Sequence, residues 1–496
     1  MGLMDNNGEL QAGLRVRTAL GVLWKNISNS CQSLIDLVAT AVLARLLVPE
    51  DFGVVTMSMI FVALAFTINE LGLGAALIQR KDPTPGHLDS TFWSAALMGA
   101  GLLVTFTLLA PMLASFFRTP ALEAVLPVLS LNFMVGSLGL VHRTLLEREM
   151  RFRHLARCDV AAAVGFGISS VGLALAGAGV WSIVAGKVIQ RAIATGLYWV
   201  SYPWRPGFRF SWRHFRELMG FGANVMGDNM AAYLYTNVDY ALVGRFLGST
   251  ALGLYGMAYR IVTLPLQKIS IAVMSAVYPA FSRVQDDPPR MVRGYLTTIT
   301  HLSIIIMPML VGLMALAPEL VTGIFGEHWR PAVRPLQIMV AAGLAKSIGA
   351  PVNSAFRACG RPDVALKVTL AALVLTIGCV AAGIPFGIAG VAAGISVSSV
   401  SAFMIAQLVL CRLLRFPMGH IIRSLLPSAW LSAAMLAILL AYRYIGGLYL
   451  SVSGLSLAAS SIILGLAFYY CALRVGESGL YSELIGLLRS ALQDKA

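Results

Sequence analysis

Long apolar runs follow one another along almost the whole chain, and the charged residues fall mainly in short clusters between them. A run of about twenty apolar residues is what an α-helix needs to cross the hydrocarbon core of a bilayer. Of the 496 residues, 58% are hydrophobic and only 12% are charged, whereas roughly a quarter are charged in a soluble domain. So few charges cannot clothe a chain of 53.0 kDa in a water-facing surface. The pattern predicts an all-α polytopic membrane protein with about fourteen transmembrane helices.

The formal net charge of +14 does not point to nucleic acid. The basic residues cluster in connections between apolar runs, where they act as orientation signals, and no basic run is interleaved with aromatics. One set of connections carries Arg143, Arg148, Arg151, Arg153 and Arg157, then Arg205, Arg209, Arg213 and Arg216, with further groups at Arg290, Arg412 and Arg474. The opposite set carries Arg45, Arg118, Arg245, Arg330, Arg334 and Arg443. This bias predicts a multi-pass protein with both termini in the cytoplasm. The six cysteines form no CxxC pair and read as small apolar residues. The first eighteen residues are largely polar, and the apolar run after them has no cleavage-like end, so no signal peptide is expected.

An internal repeat gives the spans an arrangement. Ala41, Arg45, Leu47, Gly53 and Met57 recur, without a gap, as Ala241, Arg245, Leu247, Gly253 and Met257. Such an offset is expected of a transporter made from two similar halves. The first and seventh spans run in the same direction, which predicts parallel repeats: two six-helix lobes around a central cavity, plus two C-terminal helices. The expected divisions are an N-lobe at 1–202, a cytoplasmic linker at 203–218, a C-lobe at 219–412, two further helices at 413–474 and a cytoplasmic amphipathic tail at 475–496. Glycine-rich stretches such as Gly390 to Gly394 favour close helix packing.

Ten charged residues fall inside the expected spans: Lys25, Asp36, Glu70, Lys187, Arg191, Asp228, Asp239, Arg260, Lys268 and Lys346. At mid-bilayer each costs about 3 kcal/mol, so they must snorkel, pair or face a wet cavity. Lys25, Asn29, Gln32 and Asp36 follow at steps of 4, 3 and 4. That places them in one line roughly 16 Å long. Asn224, Asp228, Tyr235 and Asp239 form a similar stripe, as do Arg260, Thr263, Gln267 and Ser270. Lys187, Arg191 and Tyr198 line another span, and Lys346, Asn353 and Arg357 another. For single residues a structural role competes: Lys25, Asp228 and Arg357 lie near the inner ends, where snorkelling suffices, and Asp239 can pair with Arg245. As a set, Lys25, Asn29, Gln32, Lys187, Arg191, Arg260, Gln267, Lys268, Lys346 and Asn353 suit a polar cavity for an anionic ligand, phosphate above all. Asp36, Asp228 and Asp239 are the candidates for exchanging H+ or Na+.

Enzymatic signatures fail. Lys187 follows Gly186 but precedes Val188, so this is no phosphate-binding loop. There is no HExxH and no GxSxG, and the dispersed histidines offer no metal site. No cofactor is expected.

Several motifs in order carry a family resemblance. They are Asn237 to Asp239, Gly244 to Gly248, Leu252 to Tyr255, Ala258 to Arg260, Leu264 to Gln267, and Pro279 to Ser282 followed by Gln285 to Pro288. Ala44 to Gly53 also fits. The chain, from about 15 to 475, resembles bacterial polysaccharide exporters of the Wzx type, in the superfamily of multidrug and lipid-linked oligosaccharide exporters, and within it the colanic-acid and xanthan exporter branch. The resemblance implies a flippase of the bacterial cytoplasmic (inner) membrane. Its cargo would be an oligosaccharide repeat unit on undecaprenyl pyrophosphate, moved from the inner to the outer leaflet for exopolysaccharide or lipopolysaccharide assembly. Membrane lipids are implied partners, with a polysaccharide polymerase and co-polymerase as further ones. The rival readings are a multidrug or metabolite antiporter of the same superfamily, a membrane polymerase or ligase, and a non-transporting member of an assembly complex. An antiporter calls for a more acidic cavity, and an enzyme for a larger outer loop than the one near 318–332.

Overall fold

The structure, a computed structural model, describes residues 5–69, 73–80, 83–208, 210–449 and 454–476. Most of those residues are helical. The helices are α1 (Asp5–Leu46), α2 (Pro49–Asn69), α3 (Leu73–Gln79), α4 (Pro85–Phe117), α5 (Ala121–Arg148), α6 (Phe152–Leu175), α7 (Val180–Ser201) and α8 (Trp212–Arg283). They continue as α9 (Pro288–Ala315), α10 (Ala317–Phe325), α11 (Val333–Ala358), α12 (Pro362–Gly383), α13 (Gly387–Leu414), α14 (Gly419–Tyr449) and α15 (Leu455–Gly476). Among the described residues nine stretches are long and apolar enough to cross a membrane, one of which, Pro362–Leu414, holds both α12 and α13.

Helix ends follow local chemistry. Thr84 and His87 form a capping box at the start of α4, with Pro85 in the first turn. The Asp287 side chain accepts the Arg290 backbone N–H at 3.1 Å, and Pro288 opens α9. Within α8 the helical geometry breaks at Gly248, whose φ of 86° belongs to glycine.

The chain divides into two compact units, Met1–Gly253 and Leu254–Ala496. In the first, α4 packs on α5, α6 on α7, α1 on α6 and α5 on α7. Their common core includes Leu43, Val54, Val62, Leu129, Phe133, Phe166 and Val184. In the second, α11 and α12 pack on α13, and α9 packs on α11 and α14. Tyr295, Ile299, Val352, Phe356 and Leu410 fill that core. The close packing expected at Gly390 and Gly394 is found: a β-carbon at either would run into the α12 backbone, at Gly383 and Cys379 respectively.

The segment expected as a linker is pinned to the first unit at Trp204, Gly207 and Ser211. The Trp93 indole donates to the Gly207 carbonyl at 2.8 Å, the Gly207 N–H to Asp89 at 2.9 Å and the Ser211 N–H to Ser90 at 3.0 Å. Trp204 packs edge-on against Phe92, with ring centres 5.9 Å apart. Glu70 and the tail from 477 onward lie outside the described residues.

Candidate functional site

Five helices of the first unit enclose a cavity of about 370 Å³. From α1 come Asn29 and Gln32, three residues apart and therefore on one face. From α7 come Lys187, Gln190, Arg191, Ala194 and Tyr198, again at helical spacing. The α5 contribution is Asn132 and Arg143, and α6 adds Asp159 and Ala162. The apolar floor is Met59 and Val62 of α2.

The polar groups are held in place rather than loose. Lys187 donates to Gln190 at 3.2 Å, and its ammonium lies 4.0 Å from the centre of the Phe166 ring. That cation–π contact contributes about 0.5–2 kcal/mol and lets a cation sit in a partly apolar wall. Gln32 donates to the Ser28 hydroxyl at 3.0 Å, and Asn132 to the Leu129 carbonyl at 2.8 Å. The buried Tyr198 hydroxyl donates to Asp159. Arg143 bonds Glu147 at 3.2 Å and acts electrostatically on Tyr198 and Asp159 as well. Arg191 lies along Gly136, where a β-carbon would come within 3.4 Å of its side chain. The wall therefore carries three cations, Arg143, Lys187 and Arg191, against one carboxylate, Asp159. Such a surface attracts an anion with several oxygens, and the amides and hydroxyl around it suit sugar hydroxyls.

Four of the expected ligand-binding residues thus meet in one cavity: Asn29, Gln32, Lys187 and Arg191. Lys25 is exposed one turn before Asn29 and does not line it. Asp36, one turn beyond Gln32, is half-buried, with Oδ1 buried and lacking a hydrogen-bond partner among the described residues. Asp239 is buried. Arg245 donates to the Phe116 carbonyl and lies 4.8 Å over the Phe116 ring.

In the second unit the cations are arranged differently. Lys346 on α11 donates to the Tyr259 hydroxyl at 2.9 Å and lies 5.2 Å from that ring's centre. Asn353, two turns further along α11, and Arg260 on α8 are exposed. The side chains of Asp228, Gln267 and Lys268, all on α8, lie outside the described residues.

Sequence reading missed Arg143, Asp159, Gln190 and Asn132. By sequence Arg143 counts with the basic residues of a connection. On α5, Asn132 and Arg143 share one face with Gly136 and Gly139, at steps of 4, 3 and 4, but that spacing alone does not say that the face lines a cavity.

Long apolar helices around a cation-lined pocket define a multi-pass membrane protein of the transporter class. The chain belongs to the family of polysaccharide biosynthesis proteins, whose model matches residues 42–334. It is 28% identical over 419 residues to the teichuronic acid biosynthesis protein TuaB of Bacillus subtilis (strain 168), covering 84% of this chain and 86% of that one. It is 29% identical over 361 residues to the lipopolysaccharide biosynthesis protein WzxC of Escherichia coli (strain K12), covering 71% and 72%. Its fold matches the inward closed conformation of the lipid II flippase MurJ with a TM-score of 0.74 at 16% identity, over 94% of this chain and 100% of the other. The family match agrees with the expected resemblance to polysaccharide exporters, and the fold with the expected all-α membrane architecture.

Proposed function

We propose that this protein is a flippase that moves an undecaprenyl-pyrophosphate-linked oligosaccharide from the inner to the outer leaflet of the bacterial cytoplasmic membrane by alternating access. The observation that carries this reading is the first unit's cavity, where Arg143, Lys187 and Arg191 surround Asp159 inside helices that pack as a membrane bundle. A diphosphate offers these cations more than one charged oxygen, while Asn29, Gln32, Asn132 and Gln190 supply hydrogen bonds for sugar. The polyprenyl tail needs no protein pocket, because lipid solvates it.

Fourteen spans follow if α1, α2, α4 to α7, the two parts of α8, α9 and α11 to α15 each cross the bilayer. Both termini then lie in the cytoplasm, as the Arg distribution requires. On the same reading 1–202 and 219–412 are the two lobes, and Arg260, Gln267, Lys268 and Asn353 are the second lobe's contribution to cargo binding, while Lys346, expected among them, is assigned to packing through its bond to Tyr259. Motif order supports the colanic-acid and xanthan exporter branch, and a polymerase with its co-polymerase would receive the product. Coupling to H+ or Na+ runs through Asp36, Asp228 or Asp239. Replacing each by Asn and finding the same response to an imposed ion gradient rejects that assignment.

The direct test is transfer of a lipid-linked oligosaccharide between leaflets in vesicles holding the purified protein. Arg143→Gln, Lys187→Gln and Arg191→Gln are expected to slow it at normal protein levels. Transfer at the parent rate in all three overturns the reading.

A further inference from the structure

The internal repeat marks more than ancestry. Its two copies meet within the first unit, and they meet through the same positions. A β-carbon placed on Gly53 would overlap the Ser249 carbonyl oxygen and lie 3.0 Å from the Ser249 Cα. One placed on Gly253 would overlap the Pro49 carbonyl oxygen and lie 3.1 Å from the Gly53 backbone nitrogen. Gly253 is the repeat counterpart of Gly53, and Ser249 that of Pro49. The contact is therefore reciprocal: each glycine receives the backbone that opens the other copy's helix.

Both copies also turn at matching places. The first has α1 ending at Leu46 and α2 starting at Pro49, with the Asp51 side chain accepting the Val48 N–H at 3.3 Å. The second breaks at Gly248. Around the crossing, a β-carbon on Gly244 would come within 3.3 Å of the Met57 methyl and 3.1 Å of the Phe117 ring. Met57 is completely buried there, and Arg245 ties the next turn to the Phe116 carbonyl. By the Arg distribution this is the outer end of the helices. The cavity's Arg143, Asp159 and Tyr198 belong to the opposite half, near the inner ends of α5, α6 and α7.

We infer that the Gly53–Gly253 crossing is the outer seal of the transport cycle, closed while the cavity takes its cargo from the inside and parted for release. The inference rests on the flippase reading. Gly53 and Gly253 are positioning residues: they touch no cargo and act by letting two backbones come into contact. Any side chain at either position disfavours the closed state and leaves the open one unhindered, so the population shifts outward.

The test uses the full chain in cells, with its native cysteines replaced and Met57→Cys as reporter for a membrane-impermeant maleimide. With both glycines present and synthesis of lipid-linked glycan blocked, the reporter is expected to be protected. With synthesis restored, labelling rises. Gly53→Ala with Gly253→Ala raises labelling without cargo by about tenfold or more, the shift in an equilibrium that a penalty of about 1.4 kcal/mol produces, and lowers leaflet transfer. Equal protection in the glycine variant and its parent overturns the inference. Should the glycine variant fail to reach the membrane, the native-glycine chain decides: protection unchanged by cargo while transfer proceeds also overturns it. Labelling that follows the glycines in a chain that transfers no lipid-linked glycan overturns the flippase reading and leaves the seal standing.

Discussion

Lys187 and Lys346 are both lysines set among apolar helices, and they are held in contrasting ways. Lys187 leans on Phe166 and Gln190 at the edge of a cavity it shares with Arg143 and Arg191. Lys346 donates to the Tyr259 phenol, and that phenol's ring stacks on the buried Tyr255. The second unit repeats this economy elsewhere: Tyr295 bonds Gln407 at 2.7 Å in the core, and Arg443 bonds Glu319 at 2.8 Å and the Ala315 carbonyl at 2.6 Å. A polar group beside open volume is placed to serve a ligand, whereas one bonded to a neighbouring side chain away from such volume serves the packing. The contrast breaks if charge removal in the second unit proves as damaging to transport as charge removal in the first.

The largest effect is expected from Lys187→Gln combined with Arg191→Gln. A charge-assisted hydrogen bond contributes about 1.5–3 kcal/mol, so each single change should slow leaflet transfer about ten- to a hundredfold. The double change should slow it further still, with helicity and expression unaltered. A double variant within a fewfold of the parent dissolves the distinction between the units.

Glu319→Gln comes next, and its effect falls on stability. Glu319 is largely buried, its Oε2 has no hydrogen-bond partner among the described residues, and the change leaves Arg443 without this counter-ion. Breaking a fully buried pair costs about 3–5 kcal/mol; partial exposure here reduces that to about 1–3 kcal/mol. Thermal unfolding in detergent should shift downward, while transfer per folded molecule stays at the parent rate. A selective loss of transfer would move this pair from the packing to the machinery.

Asp159→Asn sharpens the contrast from inside the cavity. Asp159 accepts from Tyr198 and offsets Arg143. Without its charge the cavity binds a diphosphate more tightly and releases it more slowly. Affinity for a lipid pyrophosphate should rise severalfold while turnover falls about tenfold, a 1.4 kcal/mol effect. Binding and turnover falling together would make Asp159 a ligand-holding group instead.

How much of this was legible beforehand follows from the length scale of each signal. Apolar runs of transmembrane length are local, and they announced the helices. Asn29 with Gln32, and Lys187 with Arg191, were legible because each pair stands on one face of one helix. Arg143 was not, since a cation near a span end carries the same local pattern whether it snorkels or faces a cavity. Only the packing of α5 on α7 tells the two apart. Asp159 was missed for the same reason. The repeat displayed Gly53 and Gly253 as matched letters, but the need for glycine there comes from a backbone 200 positions away. Lys346 shows what stripe reading leaves out: the spacing that marks a polar face gives no hint that a tyrosine on another helix meets it.

The smallest effect tests the contrast at its least dramatic point. Tyr259→Phe removes one hydroxyl and keeps the ring over which Lys346 lies. A hydrogen bond to a charged donor is lost, but Lys346 is only half-buried and water can replace the phenol. The net cost should be about 1 kcal/mol or less, a shift of a few degrees in thermal unfolding. Transfer should stay within about twofold of the parent, because nothing on the cavity wall has changed. Lys346→Met should behave alike, and the two changes together should cost little more than either alone, since they remove the same bond. A loss of transfer in Lys346→Met with none in Tyr259→Phe would mean that the charge, and not the bond, is what the second unit supplies, and Lys346 would then join Lys187 as a cargo ligand.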